Sequence, residues 1–398
     1  MARPRVLILA PTDLQVDGRI LRQIDVLSEY ADIIVVCRGA SKRLKDIKQV
    51  VIPRGSSVSM RRVKKAWRLA TLGSGLYNVN YWSQSWVRKM ISECRKLGPF
   101  DTVVANDLET LPIASAVAGD ARIVFDAHEF YPGQHPPHGE GDRLNQQAGS
   151  LCRQFLPGVK GMMTTAPEMS EHYLNEFGIT SEDVPNCPRY ENLPVRQPSQ
   201  DEPIRLIYHG ACRKGRGIEA AIDGVLRSGS RFELFLMFAG SKNSEVARHA
   251  DQAVSSSSRI HQIDPVSPEQ IASRISQFDI GVSTLESNAL NHHLTTANKF
   301  FEAIQARLAV ITGPQRAVRR LTEELAVGWS IEEVTGDAFA EILANSSGEQ
   351  IANFKENADQ ASRKVCLEAY APRIIRTVLP DVKINEYPMT ESVNGHAA

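Results

Sequence analysis

Asn291-His-His-Leu-Thr-Thr-Ala-Asn298-Lys299-Phe-Phe-Glu302-Ala-Ile-Gln-Ala-Arg-Leu-Ala309-Val-Ile-Thr312 reads as a polar loop, a helix and a buried strand. Asn298 and Glu302 stand four apart and Lys299 and Glu302 three apart, so all three can share one face of the first helical turn. A helix N-terminus has free backbone N–H groups and a partial positive charge, which suits a phosphate. Thr295 and Thr296 lie just before it, where the backbone amides of 294–297 can cradle such a group. A carboxylate one turn further in can accept both hydroxyls of a ribose. The first ligand to consider is therefore a nucleoside diphosphate. An ordinary capped helix with solvated charges is the competing reading.

This loop–helix–strand unit is one period of a longer alternation. Upstream, strand patterns at Val6–Leu9, Asp32–Val36, Val50–Ile52, Thr102–Ala105, Ile123–Phe125 and Gly161–Thr164 alternate with helical ones, among them Arg19–Tyr30, Ser59–Leu72, Tyr81–Leu97 and Pro167–Phe177. The stretch from Asn186 to Pro203 carries four prolines, which disfavour helix and central strand alike. Alternation then restarts, with strands expected at Arg205–Tyr208, Glu233–Phe238, Ile260–Gln262, Ile280–Ser283 and Ala309–Thr312. Such alternation predicts an α/β protein with parallel sheets covered on both faces. The expected organisation is an N-terminal Rossmann-like domain (1–186), a linker (187–203) and a second Rossmann-like domain (204–364). A C-terminal helix (365–380), able to cross back to the first domain, and a polar, disordered tail (381–398) complete it. Two facing doubly wound domains would place a ligand crevice at the strand C-termini.

The bulk numbers exclude several classes. With 398 residues and 46 basic against 46 acidic side chains, nothing in the total charge points to nucleic acid. The six cysteines are scattered with no C-x-x-C pair, which argues for reduced thiols in a cytoplasmic protein and against zinc or a disulfide scaffold. The apolar run near the N-terminus is too short for a signal peptide, and no run of about 18 apolar residues exists to span a membrane.

Four loops carry candidate chemistry. The turn Tyr208-His-Gly210-Ala-Cys-Arg213-Lys214-Gly-Arg216-Gly217 is glycine-rich and cationic and runs into a helix. Glycine lets the backbone approach a phosphate, and Arg213, Lys214 and Arg216 can neutralise it. The spacing is neither a Walker A loop nor G-x-G-x-x-G, so a P-loop ATPase and a dinucleotide enzyme are unsupported. The segment Gly281 to His293, containing Glu286, leads from a strand end into the opening motif. Asp126-Ala-His128-Glu129 ends a buried strand with three ionisable groups; His128 can bond a sugar hydroxyl or a phosphate while Asp126 or Glu129 orients it. In Asp17-Gly18-Arg19, Asp17 can cap a helix, while Gly18 and Arg19 can meet an acceptor or a phosphate.

A different signal is the basic, amphipathic stretch from Met60 to Leu72, followed by Tyr77, Tyr81, Trp82 and Trp86. Residues 59–90 can contact an anionic membrane surface through cations and aromatics, or can pack on the first domain with a solvated basic face.

Together these residues resemble a retaining glycosyltransferase of the GT-B type, similar to glycosyltransferase family 4 (group 1). The resemblance covers nearly the whole chain. It rests on Asp17-x-Arg19, Ala105-Asn106-Asp107, Asp126-x-His128-Glu129, His209-Gly210, Arg216-Gly217 and, most specifically, Asn298-Lys-Phe-Phe-Glu302-Ala. It implies that Glu302 holds the donor ribose, that Arg216 faces the diphosphate and that His128 lies near the transferred sugar. It also implies catalysis by His128, Arg216 and Lys299 and donor contacts from Gly18, Arg19, Asp126, Glu129, Gly210, Arg213, Lys214, Glu286, Thr295, Thr296, Asn298 and Glu302. No metal and no cofactor are expected, the nucleotide-diphosphate sugar being a co-substrate. The acceptor would be a carbohydrate, lipid-linked or small-molecule hydroxyl in bacterial polysaccharide, glycolipid or glycoside synthesis. The expected place is the cytoplasm or the inner membrane face. The chain departs from the family at Leu294, where an earlier glutamate is common, and at Ala211, where an arginine is. A non-catalytic sugar-nucleotide-binding or scaffold protein and a nucleotide-sugar epimerase are the alternatives.

Overall fold

The computed structural model describes residues 3–53, 58–199, 201–240, 245–384 and 387–388, with the side chains of 58–62 and 64 left aside. Most of the expected polar tail, and Gln200 of the expected linker, lie outside the described residues. Contacts divide the chain into two compact units. Unit 1 gathers the chain up to Pro185 with Ala289–Asn291 and the stretch beginning at Ala371, and unit 2 gathers Asn186–Asn288 and His292–Tyr370.

In unit 1 the strands are β1 (Arg5–Leu9), β2 (Asp32–Cys37), β3 (Lys48–Val51), β4 (Thr102–Asn106), β5 (Arg122–Asp126), β6 (Gly161–Thr164) and β7 (Glu182–Asp183). They pair in parallel in the order β3-β2-β1-β4-β5-β6-β7. Consecutive residues of β1 from Val6 to Leu9 are all fully buried, as a sheet covered on both faces requires. The order reverses between β1 and β4, and in such sheets ligands sit beyond the strand C-termini at that switch.

In unit 2 the strands are β8 (Ile204–Ala211), β9 (Phe232–Ala239), β10 (Ile260–Ile263), β11 (Ile280–Ser283), β12 (Ala309–Thr312) and β13 (Gly328–Ser330). The order β10-β9-β8-β11-β12-β13 is again all parallel, with its switch between β8 and β11. Period-two alternation sorts the core. Leu206 and Tyr208 of β8 join Ile218, Ile222 and Phe339 on one face, while Ile207 joins Phe300, Phe301 and Ile304 on the other. The second face is what seats the helix Asn298–Gln305, because its two phenylalanines are fully buried there.

The chain from Asn186 to Leu193 is fixed to unit 2 by polar groups. Arg307, almost fully buried and with φ +60°, donates to the Glu191 carbonyl at 2.7 Å and to Asp359 at 2.7 Å. The backbone N–H of Tyr190 donates to Glu368 at 2.9 Å. All six cysteines are buried and none is in a disulfide, and burial pushes the Cys37 and Cys366 thiols up to about 11 and Cys94 to about 12.

The expected single helix Tyr81–Leu97 is two helices, Tyr77–Trp82 and Ser85–Arg95. Gln84 is extended (ψ 122°) and breaks the run. The expected polar loop at 291–296 contains a short helix, Leu290–Leu294. Among the described residues no helix is long and apolar enough to cross a membrane.

Candidate active-site clusters

Unit 1 assembles a charged cluster at the C-terminal ends of β1, β4 and β5. The helix Gly18–Ser28 follows β1; Asp17 caps it by accepting from the Ile20 N–H at 3.1 Å and is held by the Thr12 hydroxyl at 2.6 Å. Gly18 opens the helix and is half-buried. The next residue, Arg19, is committed inside the unit. Its Nε and Nη2 donate to the two oxygens of Asp126 at 3.0 and 2.5 Å, and its Nη1 donates to the Val184 carbonyl at 2.7 Å. Gln23 donates to Asp126 at 3.0 Å. A buried carboxylate demands such partners.

His128 stands between two acids. Its Nδ1 is 3.0 Å from Asp107 and its Nε2 is 3.4 Å from Asp126. Asp107 also accepts from the Tyr131 hydroxyl at 2.5 Å. It takes φ +64° with ψ 152°, outside the left-handed helical well and strained for any residue but glycine. Desolvation opposes charge on Asp126, but Arg19 and His128 outweigh it and hold the carboxyl below the usual range. Desolvation would likewise lower His128, but Asp107 and Asp126 push it up to about 10. His128 is therefore an imidazolium at neutral pH, a hydrogen-bond donor and not a base. Glu129 takes a different partner, Asn291, whose Nδ2 donates to its carboxylate while its Oδ1 accepts from the Phe130 N–H at 2.6 Å.

The raised His128 value has a signed consequence. A group raised above its unfolded value of 6.5 contributes stability fully present below that pH and lost as pH rises through about 10. The melting temperature of the wild type relative to His128→Asn is expected to fall across this window. A difference that stays flat from pH 6.5 to 10 would refute an imidazolium held by the Asp107 and Asp126 charges.

Unit 2 assembles a second cluster at its own switch. The turn after β8 is built by glycines. Gly210 has φ +111°, and a Cβ there would come within 2.9 Å of Lys299 Cε. Gly217 has φ +69°, and a Cβ would lie 2.3 Å from Thr284 Oγ1. Thr284 donates its hydroxyl to the Arg216 carbonyl at 3.1 Å, and the Glu286 N–H donates to the Gly215 carbonyl at 2.8 Å. The loop after β11 is thus stitched to the glycine turn, bringing Glu286 beside Gly215. Arg213 and Lys214 are exposed at its tip, and Arg216 is half-buried.

The helix Asn298–Gln305 completes the cluster. Its cap, Ala297, has no side-chain hydrogen bond, Asn298 is exposed, Thr295 is half-buried and Thr296 is buried. The Lys299 ammonium sits 3.7 Å from the centroid of the Tyr208 ring. Desolvation and then the nearby Arg216 charge hold Lys299 well below its ordinary value, against the pull of Glu302. Glu302 pairs with His209, Nε2 to Oε2 at 2.7 Å. The His209 ring is buried, and its Nδ1 meets no hydrogen-bond partner among the described residues.

The structure therefore gathers Gly210, Arg216, Glu286, Lys299 and Glu302 around one switch point. Asp126, His128 and Arg19 gather around the other, with Gly18 at the helix start and Glu129 turned to Asn291. Two participants carry no role in the sequence reading. Asp107 lies in an Asp-Leu-Glu run that looks like a helix start, and His209 lies in a strand, 93 residues from Glu302. The quoted pairs Asn106-Asp107 and His209-Gly210 were the available signals.

No known family model matches the chain, and no curated protein sequence matches it. Its fold does match solved structures. HepE of Anabaena in complex with UDP aligns with a TM-score of 0.70 at 15% identity, over 95% of this chain and 100% of that one. Sucrose-phosphate synthase of Thermosynechococcus elongatus gives 0.68 at 13% identity, over 94% and 97%. The trehalose 6-phosphate synthase of Burkholderia multivorans gives 0.66 at 11%, over 96% and 97%. These neighbours are GT-B glycosyltransferases, and the two parallel-sheet α/β domains of this chain have their fold.

Proposed function

We propose that this protein is a retaining glycosyltransferase that moves a sugar from a nucleoside-diphosphate donor to an acceptor hydroxyl without a metal ion. The observation that carries the reading is the unit 2 cluster, where Arg216, the Lys299 ammonium and the His209-anchored Glu302 converge beside a glycine turn. Two cations and free helix N–H groups suit a pyrophosphate, and a fixed carboxylate suits a ribose. HepE, a fold neighbour, has been solved with UDP and with UDP-glucose, so UDP is the first nucleotide to test.

In the proposed reaction the bond from the anomeric carbon to the β-phosphate oxygen breaks as the acceptor oxygen bonds to the same face of that carbon. The acceptor's proton passes to the departing phosphate oxygen, giving the nucleoside diphosphate and the glycoside. Arg216, Lys299 and the exposed Arg213 and Lys214 stabilise the growing phosphate charge. Glu286, Thr295, Thr296 and Asn298 complete the donor contacts. His128, held between Asp107 and Asp126, positions the transferred sugar and does not attack it. The acceptor is a carbohydrate, lipid-linked or small-molecule hydroxyl.

A thermal-shift series with UDP, GDP, ADP, CMP and dTDP tests the donor site. A nucleotide at about 100 times its dissociation constant adds roughly 2.7 kcal/mol. One nucleotide is expected to stabilise the wild type and to lose that effect in Glu302→Ala. Silence from all five in the folded protein would remove the reading. A second reading, donor binding without transfer, is favoured by Leu294, an apolar residue only 2% exposed where the resembling family often has a glutamate. It predicts nucleotide stabilisation with no glycoside formed from any acceptor.

A further inference from the structure

We propose that one face of unit 1, made by the helices Val58–Gly73, Tyr77–Trp82 and Ser85–Arg95, docks onto a bilayer surface that carries anionic phospholipid. The chain as a whole is electrically balanced, yet residues 58–97 hold nine lysines and arginines against one acid, Glu93. That acid is occupied by Lys96 at 2.8 Å. Charge is thus segregated in this stretch of the sequence.

The same face exposes apolar surface. Val63 is 64% exposed, Trp67 51%, Leu69 38%, Leu76 51% and Val79 45%. These make up half of the exposed large hydrophobic side chains among the described residues. Every described side chain from Val63 to Ala70 is exposed, with Trp67 bonded to Ser83 and Arg68 3.3 Å from Glu140 as the side-chain ties of this part of the first helix. Its C-terminal turn anchors it. Thr71 and Leu72 are buried, Asn80 donates to the Thr71 hydroxyl at 2.7 Å, and the Trp67 indole N–H donates to the Ser83 hydroxyl at 3.0 Å.

Next to Ser83 the surface opens into a cavity of about 600 Å³, lined by Trp82 and Ile91 and by Arg88, Arg95 and Lys96. A lining that mixes apolar and cationic side chains suits a lipid headgroup. Exposed tryptophan and aliphatic side chains beside lysine and arginine are what an interfacial segment presents to headgroups and acyl chains. A nucleic acid would use the cations but has no need of Val63, Leu76 and Val79. Contact is peripheral, since no described helix is long and apolar enough to cross. The proposal is independent of the donor chemistry.

Flotation of the full chain with phosphatidylcholine vesicles, and with vesicles that also contain phosphatidylglycerol, tests it. Partitioning onto the mixed vesicles is expected to be about tenfold higher or more. Arg88→Glu with Lys89→Glu should abolish that gain. Val63→Ser with Val79→Ser should weaken binding while leaving circular dichroism unchanged. A fluorescence blue shift on vesicle addition should be lost in Trp67→Phe. Equal partitioning onto both vesicle types, or unchanged binding in both variants, would overturn the proposal. So would retention on heparin or duplex DNA without vesicle binding, which would mark a polyanion site.

Discussion

Arg216→Ala is expected to lower turnover by about two powers of ten, with the fold and melting temperature nearly unchanged. The side chain is half-buried, and what the turn uses structurally is its backbone carbonyl, held by Thr284. The substitution therefore leaves the glycine turn in place and removes only a guanidinium. A single pre-organised donor at a developing anion is worth roughly 3 kcal/mol. If the cation acts mainly on the departing diphosphate, kcat should fall more than KM rises. A second effect follows from its neighbour. The Arg216 charge lowers Lys299, so its loss should let the ammonium recover toward its ordinary value. Turnover in the mutant should then persist to higher pH than in the wild type, if the charged lysine is the active form. Near wild-type rates in Arg216→Ala would sink the assignment.

The second large effect is on stability. Arg19→Ala is expected to cost about 3–5 kcal/mol, because it leaves the Asp126 carboxylate buried without its bidentate partner. Gln23 and His128 remain beside Asp126 but do not replace two charge-assisted bonds. Arg19→Lys should recover only part of the loss, since one ammonium cannot reproduce the fork and also reach the Val184 carbonyl. The penalty should shrink in acid, because a depressed carboxyl contributes stability above its unfolded value, 3.8, that is lost as pH falls through the folded one. Denaturant unfolding of Arg19→Ala and Arg19→Ala/Asp126→Asn at two pH values measures this. A double variant no more stable than the single one would show that the stranded charge is not the cause.

How far these features could be read in advance depends on their range. Parallel sheets buried on both faces announce themselves as short apolar runs, and β1, β4, β9, β11 and β12 were legible for that reason. The two-residue β7 and three-residue β13 carry too little pattern to see. The break at Ser83-Gln84 has no local proline or glycine to announce it; Gln84 is extended there, and Ser83 accepts from the distant Trp67 indole. Residue types at a strand end, in a glycine turn and at a helix start singled out Asp126, His128, Arg216, Lys299 and Glu302. The pairing partners did not show, because they meet only across the fold: Asn291 reaches Glu129 over 162 residues and His209 reaches Glu302 over 93. Arg19 illustrates the same limit. Beside a glycine in a strand-to-helix loop it reads as able to meet an acceptor or a phosphate, and only the sheet brings Asp126 and Val184 to it.

The six sequestered thiols also make this chain its own clock. A buried thiol held near or above pH 11 hardly reacts with a maleimide or iodoacetamide at neutral pH until the segment around it opens. Cys37 and Cys94 sit in unit 1 and Cys366 in unit 2, so tracking which peptide is alkylated first would report the opening rate of each unit separately. The quiet native background would also let one cysteine placed at an exposed position accept a probe alone.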